Sequence, residues 1–183
     1  MSVNDIFSKV FMHMIEGTMF HNQMYECYLF LGLKGYAACH KYHYISESIG
    51  YSNLQRYFVE KYNMLGFCAA PNSKSIIPDS WYNILNNDIS HQTRKQALMA
   101  AFQEWIKWEE ATVTLYTSCY KDLEELGEIS AAECIKDYLL DADKELAYAK
   151  DEMLKKSAMD FDIVSILEEQ GTYERQYSKK LKV

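Results

Sequence analysis

Apolar positions recur along this chain with the period of an α-helix, and long stretches carry the pattern far enough to bury a face. In the first, from about Asn4 to Leu31, the stripe reads Phe7, Val10, Phe11, Met14, Thr18, His21, Tyr25 and Leu29. Ser2 with Asp5 three positions later predicts a capping box at its start. Gly32 and Gly35 bracket its end, where left-handed backbone is needed. The second helix spans about Gly35 to Leu65, with Tyr36, Cys39, His43, Glu47, Leu54, Tyr57, Phe58 and Leu65 on one face and Gly66 as its C-cap. The third opens on Ser90 and reaches about Leu126, with Leu98, Phe102, Trp105, Glu109, Thr112, Tyr116 and Leu123 inward and Gly127 ending it. The fourth opens on the capping box Ser130-Ala131-Ala132-Glu133 and runs to about Lys156 through Ile135, Tyr138, Leu139, Ala142, Leu146, Ala149 and Met153. A short fifth helix is predicted over Phe161 to Glu169, stopped by Gly171.

The stretch from Phe67 to Ile89 breaks the pattern. It holds both prolines, Pro71 and Pro78, and only Asp79 to Leu85 reads as a turn or two of helix. A connection of more than about twenty residues is unusual between antiparallel neighbours, but it is long enough to cross a bundle end to end. Short, long and short connections therefore predict two helix hairpins joined by a crossover, rather than a simple up-down bundle. The expectation is one all-α domain over 1–183: a four-helix bundle with its crossover at 67–89 and a C-terminal helix and tail at 160–183. Helices of roughly 25–35 residues would be about 40–50 Å long.

Charge and composition narrow the function. A net charge of −7 argues against non-specific binding to nucleic acid or an anionic membrane. No apolar run approaches the roughly 20 residues that a membrane span needs. The basic end Ser178-Lys179-Lys180-Leu181-Lys182 reads as a solvated terminus. Cys27, Cys39, Cys68, Cys119 and Cys134 are widely spaced and form no CxxC pair, and the start Met1-Ser2-Val3-Asn4-Asp5 has no signal-peptide pattern. Reduced core cysteines in a cytoplasm are expected. No phosphate-binding Gly-rich loop and no G-x-S-x-G elbow is present, so nucleotide and hydrolase chemistry have no support.

The run Gly32-Leu33-Lys34-Gly35-Tyr36 through Glu47 resembles the bacterioferritin and ferritin superfamily, in which a similar Gly-Leu-Lys opens the second helix and a metal-binding Glu follows at about this distance. Glu47 takes that position, but the residue three later, where the family has His, is Gly50. The resemblance implies a Glu on the third helix, matched by Glu109. On the fourth it implies Glu-x-x-His, a little over thirty residues later, which falls on Ala142 and Glu145. On the first helix Met14 stands where a Glu is expected, and Glu16 is rotated about 200° away. Three of six implied ligands remain: Glu47, Glu109 and Glu145. Two adjacent irons need bridging carboxylates and a nitrogen donor each, and neither Glu-x-x-His motif is intact.

Each candidate has an ordinary alternative. Glu47 is either a buried ligand or a surface Glu on an amphipathic helix. Glu109, among Trp105, Thr112 and Tyr116, needs a metal, a cation or hydrogen-bond donors once buried. His43 sits three residues from His40 and four from Glu47, a spacing that suits a shared metal but is common. His21 falls on the inward face of the first helix and reads as a hydrogen-bond partner of Glu109 or a tyrosine ahead of a replacement nitrogen donor; His13 and His91 read as peripheral. The favoured expectation is a ferritin-like scaffold with a degraded di-metal centre, acting by binding or association and forming homo-oligomers. The alternative is a protein holding one Fe or Mn ion through Glu47, Glu109 and Glu145 with His43 or His21, with weak Fe(II) oxidation.

Overall fold

The computed structural model describes residues 2–63 and 89–181. Among these the chain forms helices and no strand: α1 (Val3–Phe30), α2 (Lys34–Tyr62), α3 (His91–Glu125), α4 (Ile129–Ala158) and α5 (Ile163–Lys180). None is long and apolar enough to cross a membrane. The expected crossover, the Gly66 cap and Cys68 lie outside the described residues, Ile89 apart.

Local signals set most of the ends. Ser2 and Asp5 close the capping box of α1, with the Asp5 amide donating to Ser2 Oγ and the Ser2 amide donating to Asp5 Oδ2. Gly32 and Gly127 take φ of +76° and +74° just beyond α1 and α3. Ser90 caps α3 by accepting from the Thr93 amide at 3.2 Å. Three expectations change. The second helix stops at Tyr62, short of Leu65, because Asn63 turns left-handed at φ +50°. The cap of α4 is Glu128 rather than Ser130, whose hydroxyl instead accepts from Lys61 Nζ of α2 at 2.7 Å. The last helix runs through Gly171 to Lys180 because Ile166, Gln170 and Tyr177 stay buried. The basic end is correspondingly helical as far as Lys180, whose Nζ lies over the Tyr42 and Tyr177 rings.

Side-chain pairs give the topology. Phe7 meets Phe58, Phe11 meets Tyr51 and Tyr28 meets Tyr36, so α1 and α2 are antiparallel. Arg94 donates to the Leu31 carbonyl while His13 meets Thr112, so α1 and α3 are antiparallel too, and α3 runs parallel to α2. Trp105 meets Tyr148 and Tyr116 meets Tyr138, which makes α4 antiparallel to α3. This is an all-α, ferritin-like bundle of two hairpins with an added C-terminal helix. The inward stripe of α1 differs from the expected one beyond Met14. It continues through Gly17, Phe20, Met24 and Tyr28, while Thr18 and Tyr25 are only half-buried and Leu29 is exposed. The core forms two apolar clusters, one around Phe20, Tyr36, Phe102 and Trp105 and the other around Phe7, Phe11, Phe58 and Leu123. The acidic and imidazole side chains of the bundle centre gather where the two meet.

Candidate functional site

On α2, His40, His43 and Glu47 lie one turn apart at helical spacing, so one face carries two imidazoles and a carboxyl toward the centre. α1 brings His21 against them. The His21 and His40 Nδ1 atoms are 3.0 Å apart, which requires one to carry the proton and the other to accept it. Both rings are fully buried, and burial, the largest effect, holds both well below the ordinary imidazole range, so both are neutral. His43 stacks on His21 with centroids 5.1 Å apart. Its Nδ1 lies 3.2 Å from Glu145 Oε1 of α4. Burial pulls the His43 imidazole down, but the Glu145 carboxylate and the Cys39 thiol outweigh it and the net shift is upward. His43 and Glu145 therefore form an ion pair across α2 and α4.

Glu109 of α3 is 2% exposed, and the Trp105 indole N–H donates to its Oε1 at 2.9 Å. His21 Nε2 lies 3.8 Å from the same oxygen. Burial, then the charges of Glu145 and Glu47, push the Glu109 carboxyl up to about 8, against the pull of His43. Glu47 is half-buried. Burial, then Glu145, push its carboxyl up to about 7, again against His43. A buried carboxyl without a full positive partner is stabilised by keeping its proton, and both groups do so through much of the neutral range.

The centre thus brings together Glu47, Glu109, Glu145, His43 and His21, and adds His40. His13 is not peripheral as its position in the sequence suggested. Its ring stacks flat on Trp108 at 4.4 Å, its Nε2 meets Thr112 Oγ1 at 2.7 Å, and burial lowers its imidazole to about 4. The signal was Gly17, one turn on, where a methyl group would lie 3.2 Å from the Trp108 ring and so marks the close approach of α3. His91 is exposed, as expected.

Sequence reasoning treated Met14, Gly50 and Ala142 as lost ligands and missed what their small or flexible side chains leave behind. A cavity of about 600 Å³ opens between α2 and α4, and all three residues line it, together with Glu47, Glu145 and Tyr116. The Tyr138 hydroxyl spans the gap and donates to the Gly50 carbonyl at 3.1 Å.

A parallel pair of hairpins around such a centre defines a ferritin-like helical fold. Among solved structures, the chain is similar to a humanized archaeal ferritin, with a TM-score of 0.72 over 94% of each chain at 14% sequence identity. No family model and no curated protein gives a match to the sequence.

The metal pair that this fold implies does not fit the residues present. Met14, Gly50 and Ala142 offer no hard donor in the ligand layer. Glu145 is occupied by His43, and Glu109 by Trp105. The Nε2 atoms of His21, His40 and His43 are buried without a hydrogen-bond partner. Yet among the described residues no group of three or more His, Cys, Asp and Glu side chains is arranged to hold a metal ion.

Proposed function

We propose that this chain is a ferritin-like scaffold that works by binding or association and does not store iron. The observation that carries this reading is the exchange at the bundle centre. Where the fold's ligands would stand, Met14, Gly50 and Ala142 border a cavity, and two of the three carboxyls that remain, Glu109 and Glu145, are held by Trp105 and His43. Chain loaded anaerobically with Fe(II), desalted and analysed for iron should retain far fewer than two atoms per chain and show no rapid oxygen-dependent oxidation. Two irons per chain with fast oxidation would overturn the reading.

A second reading is a single Fe or Mn ion. It draws support from the unpartnered His21 Nε2 beside Glu109, with Glu47, Glu145 and His43 as further donors. Manganese resonance spectra of the loaded chain, altered by Glu47→Gln, would establish it in place of the first.

We further propose one domain over 1–183, working in the cytoplasm as at least a dimer. Met19 and Phe30 of α1 and Val59 of α2 are exposed apolar residues that an interface would cover. Light scattering at micromolar concentration should give a mass above one chain; a monomer would contradict the association.

A further inference from the structure

We propose that the cavity between α2 and α4 binds a small organic ammonium ion with an aromatic or branched apolar body, with Glu47 as its counter-ion. This rests on the binding-scaffold reading and names the ligand class of that same site.

Size and position come first. About 600 Å³ falls inside the range of roughly 300–1,000 Å³ typical of small-molecule sites. The cavity reaches from the surface between two helices to the bundle centre, where Met14 of α1 and Thr112 and Tyr116 of α3 border it. A body of one aromatic ring with a short chain matches this volume, and Met14, Ile49 and Tyr138 supply apolar wall for it.

Charge selects the ligand. Glu47, Asp137, Asp141 and Glu145 line the cavity, with Lys144 as the opposing cation. Lys144 pairs with Asp141 at 2.7 Å, and Glu145 pairs with His43 at 3.2 Å. Among the described residues, Glu47 and Asp137 are the lining carboxyls that make no salt bridge. An anion would meet repulsion here, and a neutral apolar molecule would cover Glu47 without giving it a partner. An ammonium supplies both the charge and the hydrogen-bond donors, and Tyr116 and Tyr138 line the cavity with Glu47. A hard divalent cation suits the site less, because Met14, Gly50 and Ala142 give it no oxygen side chain.

Glu47 faces His43 on its own helix, Glu145 and Tyr138 on α4, and Glu109 and Tyr116 on α3. From α1 its neighbour is Gly17.

The test is calorimetric titration of the full chain with 2-phenylethylamine and with its neutral counterpart 2-phenylethanol, at pH 8. The amine should bind one per chain, at least about tenfold more tightly than the alcohol. Glu47→Gln should weaken the amine about tenfold and leave the alcohol unchanged; Ala142→Leu, which narrows the cavity, should weaken both. No saturable amine binding, or equal affinity for the two probes, overturns the proposal, and these comparisons on the unaltered chain need no variant to fold. Iron loading measured on the same preparation separates the failures. Absent amine binding without a di-iron centre overturns this proposal alone, whereas two irons per chain overturns the reading beneath it.

Discussion

Glu109 illustrates how a single carboxyl is kept in an apolar core. The Trp105 indole N–H satisfies one oxygen, His21 stands beside it, and the remaining cost of burial is met by holding the proton. This has a consequence for stability. For Glu47 and Glu109 the folded values, about 7 and about 8, stand above the ordinary 4.5. The folded chain therefore holds protons that the unfolded chain releases, and stability falls as pH rises through that window. His43, raised by Glu145 and Cys39 against burial, acts in the same direction above its ordinary value of 6.5. His21 and His40, held low by burial, act on the other side: below 6.5 the unfolded chain takes up protons that they refuse, and stability is lost as pH falls. The melting temperature should accordingly be lower at pH 8.5 than at pH 6.5. Glu109→Gln, which keeps an oxygen for Trp105 but cannot ionise, should recover on the order of 2 kcal/mol at pH 8.5. Thermal melts of both chains check this, and a wild-type melting temperature level across the range would contradict it. Glu109 was legible in the sequence because it sits squarely within an unbroken apolar stripe. His13 and the cavity were not. The first depends on Trp108 reaching across from another helix, and the second on the residues that happen to face Gly50.

At the scale of elements, α5 is more than an appendage. Gln170 Oε1 accepts from both the Gly35 and Tyr36 amides, at 2.9 and 3.1 Å, and so satisfies two donors that the start of α2 leaves unpaired. Gly35 lies so close beneath it that an added methyl would sit 2.6 Å from the Gln170 carbonyl oxygen. Buried Lys156 pairs with Glu169, and the Tyr173 hydroxyl donates to buried Glu152 at 2.7 Å, which ties α5 to α4 as well. Gln170→Ala should cost about 1–3 kcal/mol, since it strands two buried N–H groups, and Gly35→Ala should destabilise by forcing α5 outward. Denaturant unfolding measures both; a change within error for Gln170→Ala would mean that α5 does not hold the start of α2. The sequence pattern marked where α5 begins but placed its end at Gly171. A mid-helix glycine costs only about 1 kcal/mol, and the burial of Gln170 and Tyr177 outweighs it. The Gly35 position was legible as a glycine with a purpose, but the purpose is close packing rather than left-handed backbone.

For the whole molecule, the ferritin-like arrangement joins two apolar clusters through a polar waist. The order of helices and their parallel and antiparallel relations were legible from periodicity and connection length, because each long stripe can bury itself only against the others. What the waist does was less legible, because it depends on which side chains satisfy one another across four helices. On the function proposed above, this waist takes no di-metal centre. The most direct test is diffraction from crystals of the chain grown with excess Fe(II), with anomalous data collected at the iron edge. No pair of anomalous peaks should appear between Glu47 and Glu109, with His43 still on Glu145, Trp105 still on Glu109 and the cavity beside Gly50 and Ala142 retained. Two strong neighbouring peaks coordinated by those glutamates would contradict that function.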